Sequence, residues 1–264
     1  CSSSVCAFDW LQLKGMYMRD EMVLGAEDIE NGRSEQAQMV CDIFSDIAPR
    51  YDLFNELASF GIHNRWLKEI ARCARADEST RMLDIAAGTG DVTYTIAGMT
   101  PPAAIVATDF CGEMLDVAEE RARTEANGVP VTFERVDAMD LPYEDGSFDL
   151  VTVAYGLRNF DDRRLAMEEA ARVLVPGGRY VALEFSTPKN RIWRAIYHFY
   201  LDLVVPTIGR FLTDDRSGFE YLRDSIKAFP AAAIIEDEMI AHGFSHVDTK
   251  TRTGGIVTIY TATK

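Results

Sequence analysis

Five short apolar runs between residues 81 and 185 are separated from one another by helical stretches or longer connections: "RMLDIA", "AAIVATD", "VTFERVD", "FDLVTVAY" and "RYVALEF". Runs of this length, rich in Val, Ile and aromatic residues, read as strands. The stretches "VTYTIAGM", "GEMLDVAEERARTEAN" and "RRLAMEEAARVL" carry helical patterning, and the last should end at "PGG", because Pro176 and the glycines after it cannot continue a helix. Strand–helix alternation of this kind builds a parallel sheet covered on both faces, with ligands received at the carboxyl ends of the strands. The chain closes differently: "HVDTKTRT", a "GG" pair and "IVTIYTATK" predict a terminal hairpin, and so one antiparallel strand.

The bulk composition excludes several classes of function. A net charge of −15 with no Lys/Arg run argues against a nucleic-acid footprint and is repelled by an anionic membrane surface. Five cysteines without a C-x-x-C pair signal neither a zinc ribbon nor a redox motif, and a reducing cytoplasm is the simplest home for them. No signal-peptide pattern is readable in "CSSSVCAFDWLQLKG". The acidic first forty residues have weak periodicity and predict an arm, partly disordered, leading into a helix near "AQMVCDIF". The apolar piece "IWRAIYHFYLDLVVPTIGRFL" is interrupted by Arg194, His198, Asp202 and Pro206, so it is not a membrane span.

The first strand runs into "AAGTGDV". Gly88 and Gly90 permit a tight turn and close backbone approach, and the following helix offers the partial positive charge of its N-terminus. Asp109 ends the next strand, where a carboxylate can accept both hydroxyls of a ribose, and Asp137 ends the third, where it or its neighbours can border an adenine. Taken singly, each acid also fits a helix cap or a turn. A dinucleotide fingerprint wants a third glycine where this chain has Thr93, which weakens a nicotinamide reading.

Together "LDIAAGTGDV", "ATDFCGEML", "VDAMDLPYEDGSFDLV" and "RVLVPGGRYVALEF" resemble the successive motifs of class I S-adenosylmethionine methyltransferases. More narrowly, "RYDLFNELASFGIHNRWLKE" and "YGLRNFDD" resemble the ubiquinone/menaquinone biosynthesis C-methyltransferases, from about residue 40 to the C-terminus. That resemblance implies a Rossmann-like α/β fold with a seven-stranded, mostly parallel sheet, a C-terminal antiparallel hairpin and helices on both faces. It also implies an arm over residues 1–40, a helical lid over 41–75 and an insertion over about 188–230. S-adenosylmethionine is the implied cofactor. Thr89 then lies against it beside Gly88, Asp109 holds the ribose, Asp137 with Ala138 borders the adenine, Ala154 takes a further contact, and Asp84 orients the loop. Relatives often have Asn where Asp137 stands and Ser where Ala154 stands, so an amide donor and a hydroxyl are absent here.

The implied reaction methylates a ring carbon of a prenylated demethylmenaquinol or a related benzoquinol. A phenol's pKa is near that of Tyr, about 10, so a site for this chemistry should stabilise phenolate charge. Arg158 is the candidate for that electrostatic role, since a guanidinium stays protonated, with Asn159 as a neutral hydrogen-bond partner. His63 is the candidate base, though a lone His also fits a structural role. Tyr51 and Tyr155 are candidates to meet substrate or form the lid, alongside Asp52, Asn55 and Trp66. Ile192, Trp193, Ile196, Tyr197, Tyr200, Leu203 and Val204 recur at helical spacing and are expected to bury against a core, or to line a channel for a prenyl tail or rest on a bilayer surface. The expected protein is cytoplasmic, touches the inner membrane face only transiently, needs no metal, binds no nucleic acid and leaves room for a homodimer. Rival readings are a methyltransferase of another lipophilic molecule and a non-catalytic scaffold that binds the cofactor or a quinone.

Overall fold

The computed structural model describes residues 35–212 and 217–264. Three helices come first: α1 (Glu35–Ile47), α2 (Tyr51–Ser59) and α3 (His63–Ala74). The alternating part follows as β1 (Arg81–Ile85), α4 (Asp91–Met99), β2 (Ala104–Asp109), α5 (Gly112–Glu125), β3 (Val131–Arg135), β4 (Phe148–Ala154), α6 (Arg163–Val173) and β5 (Leu174–Phe185). A helical insertion comprises α7 (Arg191–Phe199), a π-helical stretch (Tyr200–Val204), α8 (Val205–Leu212) and α9 (Ser217–Ala228). The chain ends with α10 (Ala232–Ala241), β6 (His246–Arg252) and β7 (Val257–Thr263).

All seven strands form one sheet in the order β3-β2-β1-β4-β5-β7-β6, parallel except for β7, which runs antiparallel to both its neighbours. Side chains alternate across it as a pleat requires. Leu83, Ile85, Val151 and Val153 join a core with Met167 and Ala170 of α6 and Ile235 of α10, whereas Met82 and Leu150 pack on the other face against Ile70 of α3 and Ile96 of α4. A separate cluster joins Phe54 of α2 to Tyr197, Leu201, Val205, Phe219 and Ile226 of the insertion. Helix α2 and the insertion thus pack together as one helical cap.

Asp162 caps α6 by accepting from the Arg164 N–H, and Asn190 caps α7 by accepting from the Ile192 and Trp193 N–H groups. The "PGG" segment does not form a free loop after α6. Leu174 already pairs with Phe148, the register slips, and pairing resumes at Arg179 opposite Leu150, with Gly177 at φ +78° inside the bulge. The predicted arm over residues 1–40 lies outside the described residues up to position 34, and α1 occupies its last part. No helix among the described residues is long and apolar enough to cross a membrane.

Candidate active site

The sheet's strand order reverses between β1 and β4, and the residues immediately after these two strands, Ala86 and Tyr155, have φ of +52° and +57°. Non-glycine residues held in the left-handed region cost free energy and gather at functional crevices. The loop continues through Gly88 (φ +58°) and Gly90 (φ +90°), where a Cβ would fall 2.4 Å from Cε2 of Tyr94. Only glycine fits there.

Three strand ends meet at this rim. The Gly88 N–H donates to Asp109 Oδ2 at 2.8 Å and the Cys111 N–H to Oδ1 at 2.9 Å, which leaves each oxygen a lone pair for a further donor. Burial pushes the Asp109 carboxyl above its ordinary range, with those backbone donors pulling the other way. Asp137 accepts from the Met139 N–H at 2.8 Å and is also pushed up by burial. Ala138 is packed into the core, while Ala154 is half-buried at the end of β4. The Thr89 carbonyl accepts from Arg121 at 2.9 Å.

Asp84 lies deeper. Its Oδ2 accepts from the Thr93 hydroxyl and its Oδ1 from the Thr152 hydroxyl, both at 2.6 Å, and burial raises its pKa to about 6. Thr93, which departs from the dinucleotide pattern, therefore holds this carboxyl in place. Such a rim, with carboxyl oxygens that keep acceptor capacity, suits a ligand with hydroxyl donors.

Beyond Tyr155, Arg158 and Glu184 form an ion pair, Nη1 to Oε1 at 2.8 Å, with side chains 3% and 0% exposed. Glu184 is pushed up by burial and pulled back by the Arg158 charge and by hydrogen bonds from Phe185 and Arg158. Both Arg158 Nη1 and Asn159 Nδ2 donate to the Tyr155 carbonyl, so the expected Arg158–Asn159 partnership runs through a shared acceptor. Asn159 Oδ1 accepts from the Tyr221 hydroxyl of α9 at 3.1 Å, which fastens the cap to this loop. The Tyr155 ring stacks on Phe185 with centroids 4.6 Å apart.

His63 opens α3, and its Nε2 lies 3.1 Å from Asp91 Oδ2. Burial raises Asp91, but the His63 hydrogen bond and the Arg121 charge prevail and hold it below the usual range. An ionised carboxylate only accepts, so Nε2 is the ring nitrogen that donates to Asp91. Its Nδ1 is buried and has no hydrogen-bond partner.

A cavity of about 270 Å³ lies under the cap, and Arg158, His63, Tyr155, Phe54, Tyr197 and Tyr221 are among its lining residues. Of the helical apolar stripe, Tyr197 is buried as expected, together with Leu201 and Val205. Ile192, Ile196 and Leu203 are exposed along with Phe199, at 74% for Ile192, which departs from the core-burial expectation but not from the channel or surface alternative. Both sets keep helical spacing, so the broad apolar stripe splits into an inward face (Tyr197, Leu201, Val205) and an outward one (Ile192, Ile196, Phe199, Leu203). Phe60 (75% exposed) and Ile196 both line the cavity and face outward. They make its rim.

Trp66 Nε1 donates to Thr253 Oγ1 at 2.9 Å and Trp193 Nε1 to the Thr253 carbonyl at 3.2 Å, so the terminal hairpin turn carries one tryptophan from α3 and one from α7. Asn55 lines the cavity. Tyr51 starts α2, but its side chain and that of Asp52 lie outside the described residues. Cys41 of α1 and Cys111 beside the Asp109 rim are joined as a disulfide across 70 residues of chain, a pairing that scattered cysteines do not reveal. Sequence reasoning also passed over Glu184, Asp91 and Tyr221. A lone acid inside the apolar "VALEF" was the available signal for Glu184.

Residues 32–264 match the model of the ubiE/COQ5 methyltransferase family. The chain is 42% identical, over 88% of its length and 90% of the relative's, to the ubiquinone/menaquinone biosynthesis C-methyltransferase UbiE of Geobacter sulfurreducens. It is also 42% identical, over 77% and 91% of the two chains, to the demethylmenaquinone methyltransferase of Thermus thermophilus. Among solved structures, a SAM-dependent methyltransferase from Thermotoga maritima superposes with a TM-score of 0.58 at 18% identity, over 85% of this chain and 99% of that one. That likeness concerns the fold.

Proposed function

From the premise that the chain belongs to the ubiE/COQ5 methyltransferase family, we propose that it transfers a methyl group from S-adenosylmethionine to a ring carbon of a prenylated quinol, demethylmenaquinol foremost, in respiratory quinone biosynthesis. S-adenosylmethionine supplies a methyl already activated on its sulfonium. The residues fit it: Asp109 keeps acceptor capacity for a ribose, Gly88 and Gly90 admit a ligand close to the backbone, and Asp84 lies beneath the rim that Asp109 and Asp137 form.

The observation that carries the substrate reading is the largely apolar cavity with Arg158 in its wall. A ring placed there meets a permanent cation. Opposite charge nearby lowers a phenol's pKa and so enriches the ring carbon for attack. Because Glu184 accepts from both the backbone and the guanidinium of Arg158, it fixes where that cation stands. Apolar walls exclude water and position the ring, and positioning supplies a large share of the available acceleration. The test is incubation with methyl-labelled S-adenosylmethionine and a panel of reduced naphthoquinols and benzoquinols, followed by mass spectrometry of the product. Label on a ring carbon of a demethylnaphthoquinol is expected; label on no quinol removes this reading.

The exposed ridge of Ile192, Ile196, Phe199 and Leu203, with Phe60 at the cavity rim and Lys189 and Arg191 at its basic end, suits a lipid surface from which a prenyl chain enters. The double replacement Ile192→Asp and Phe199→Asp is expected to lower turnover of long-tailed quinol in vesicles by at least about tenfold. Turnover of a short-tailed, water-soluble quinol should stay within about twofold of the parent's. Equal vesicle turnover in parent and variant would remove the ridge from substrate delivery.

A further inference from the structure

Among the buried polar atoms of the cavity wall, two make a potential acceptor and donor pair. His63 Nδ1 and the Tyr197 hydroxyl are both buried and neither has a hydrogen-bond partner, while their residues line the same largely apolar cavity. A buried polar atom left unpaired is destabilising, and in native proteins such atoms mark places where something else completes the bond. The two differ in kind. Asp91 takes the proton-bearing Nε2 of His63, and in the neutral tautomer that this contact selects Nδ1 is an acceptor. Burial keeps the Tyr197 phenol protonated, so its hydroxyl is available as a donor. Tyr197 and Arg158 line the same cavity.

We propose that these atoms read the oxidation state of the ring: a ring hydroxyl donates to His63 Nδ1 and a ring oxygen accepts from Tyr197. A quinol offers both a donor and an acceptor. Its oxidised quinone offers acceptors alone, so it satisfies Tyr197 and leaves His63 Nδ1 facing another lone pair. Binding is thereby confined to the form whose ring carbon is nucleophilic. Asp91 is a positioning residue in this scheme, since it acts only by choosing the tautomer of His63. The inference rests on the quinol reading of the substrate.

The surroundings of Asp91 make the idea testable. Its Oδ1 accepts from Arg121 Nη1 at 3.0 Å, and Oδ2 faces His63. In Asp91→Asn the Arg121 donor still demands an oxygen, so the amide nitrogen turns toward His63. The imidazole must then accept at Nε2 and carry its proton on Nδ1, where it becomes a donor.

Binding of 2-prenyl-1,4-naphthoquinol and of the matching quinone is measured on the full chain by calorimetry, with S-adenosylhomocysteine present so that no methyl is transferred. The parent is expected to bind the reduced ring at least about tenfold more tightly than the oxidised one. Asp91→Asn should abolish or reverse that ratio, and Tyr197→Phe should weaken both forms while leaving the ratio unchanged. Equal affinity of the parent for both forms, or an unchanged ratio in folded Asp91→Asn, overturns the inference. If Asp91→Asn does not fold, an unchanged affinity in Tyr197→Phe overturns it instead. Failure of the parent to bind or methylate any quinol is a different result, and it defeats the substrate reading itself.

Discussion

Replacing Arg158 with Ala is expected to lower quinol turnover by about two to three orders of magnitude, the range seen when one group that stabilises a developing oxyanion is removed. Affinity for S-adenosylmethionine should change by less than about threefold, because the cofactor rim is built from the ends of β1, β2 and β3 and does not include this side chain. The same change should destabilise the fold by about 3 kcal/mol or more, since it strands Glu184 without its counter-charge at 0% exposure. The sign of the pH dependence follows from burial, which pushes Glu184 above its unfolded value. A carboxyl raised in the folded state contributes most below the unfolded pKa of about 4.3, and that contribution is lost as pH rises through the folded value. Arg158→Ala should therefore be least impaired in acid and lose stability as the pH climbs.

A second variant separates the structural from the chemical loss. Adding Glu184→Gln to Arg158→Ala removes the stranded charge, so thermal stability should largely return while turnover stays low. Recovery of turnover with stability would mean that Arg158 serves the fold alone. Unimpaired turnover in the single variant would remove it from the mechanism.

The parts of the site that sequence exposes are those whose chemistry is local. The strand–glycine–helix passage at "LDIAAGTGDV" and the acid ending the next strand are legible because the turn needs glycine where φ is positive and a carboxylate where N–H groups converge. Pairings between distant residues are not written in any local pattern. Glu184 meets Arg158 across 26 residues, Thr152 meets Asp84 across 68, and Cys41 meets Cys111 across 70. Periodicity failed at one place for a physical reason. Neighbouring apolar residues of one helix point to different faces, so Tyr197 and Leu201 go inward and Ile196 and Leu203 stay out although all four are apolar. Tyr197 also looks like ordinary core filling until its unpaired hydroxyl is placed in a cavity wall.

Affinity for S-adenosylmethionine is expected to rise with pH between about 5 and 7, and Asp84 is the group expected to impose most of that slope. Its pKa of about 6 in the folded chain reflects burial first, with the Thr152 and Thr93 hydroxyls opposing and the charge of Asp109 adding to the rise. Relative to an unfolded value of about 3.9, such a rise corresponds to about 3 kcal/mol of stability, present below pH 4 and lost as pH rises through 6. A cationic ligand at the rim stabilises the ionised form, so cofactor binding in acid must expel a proton. The limit of full coupling is about tenfold in affinity for each pH unit below 6. S-adenosylhomocysteine lacks the sulfonium charge and should show the shallower slope. Asp84→Asn keeps an oxygen for one threonine hydroxyl and offers an amide donor to the other, which rotates to accept, so the loop should hold its shape. In that variant the affinities for the two ligands should no longer diverge with pH. Calorimetry across this window decides the matter, for parallel slopes in parent and variant would place the titrating group elsewhere on the rim.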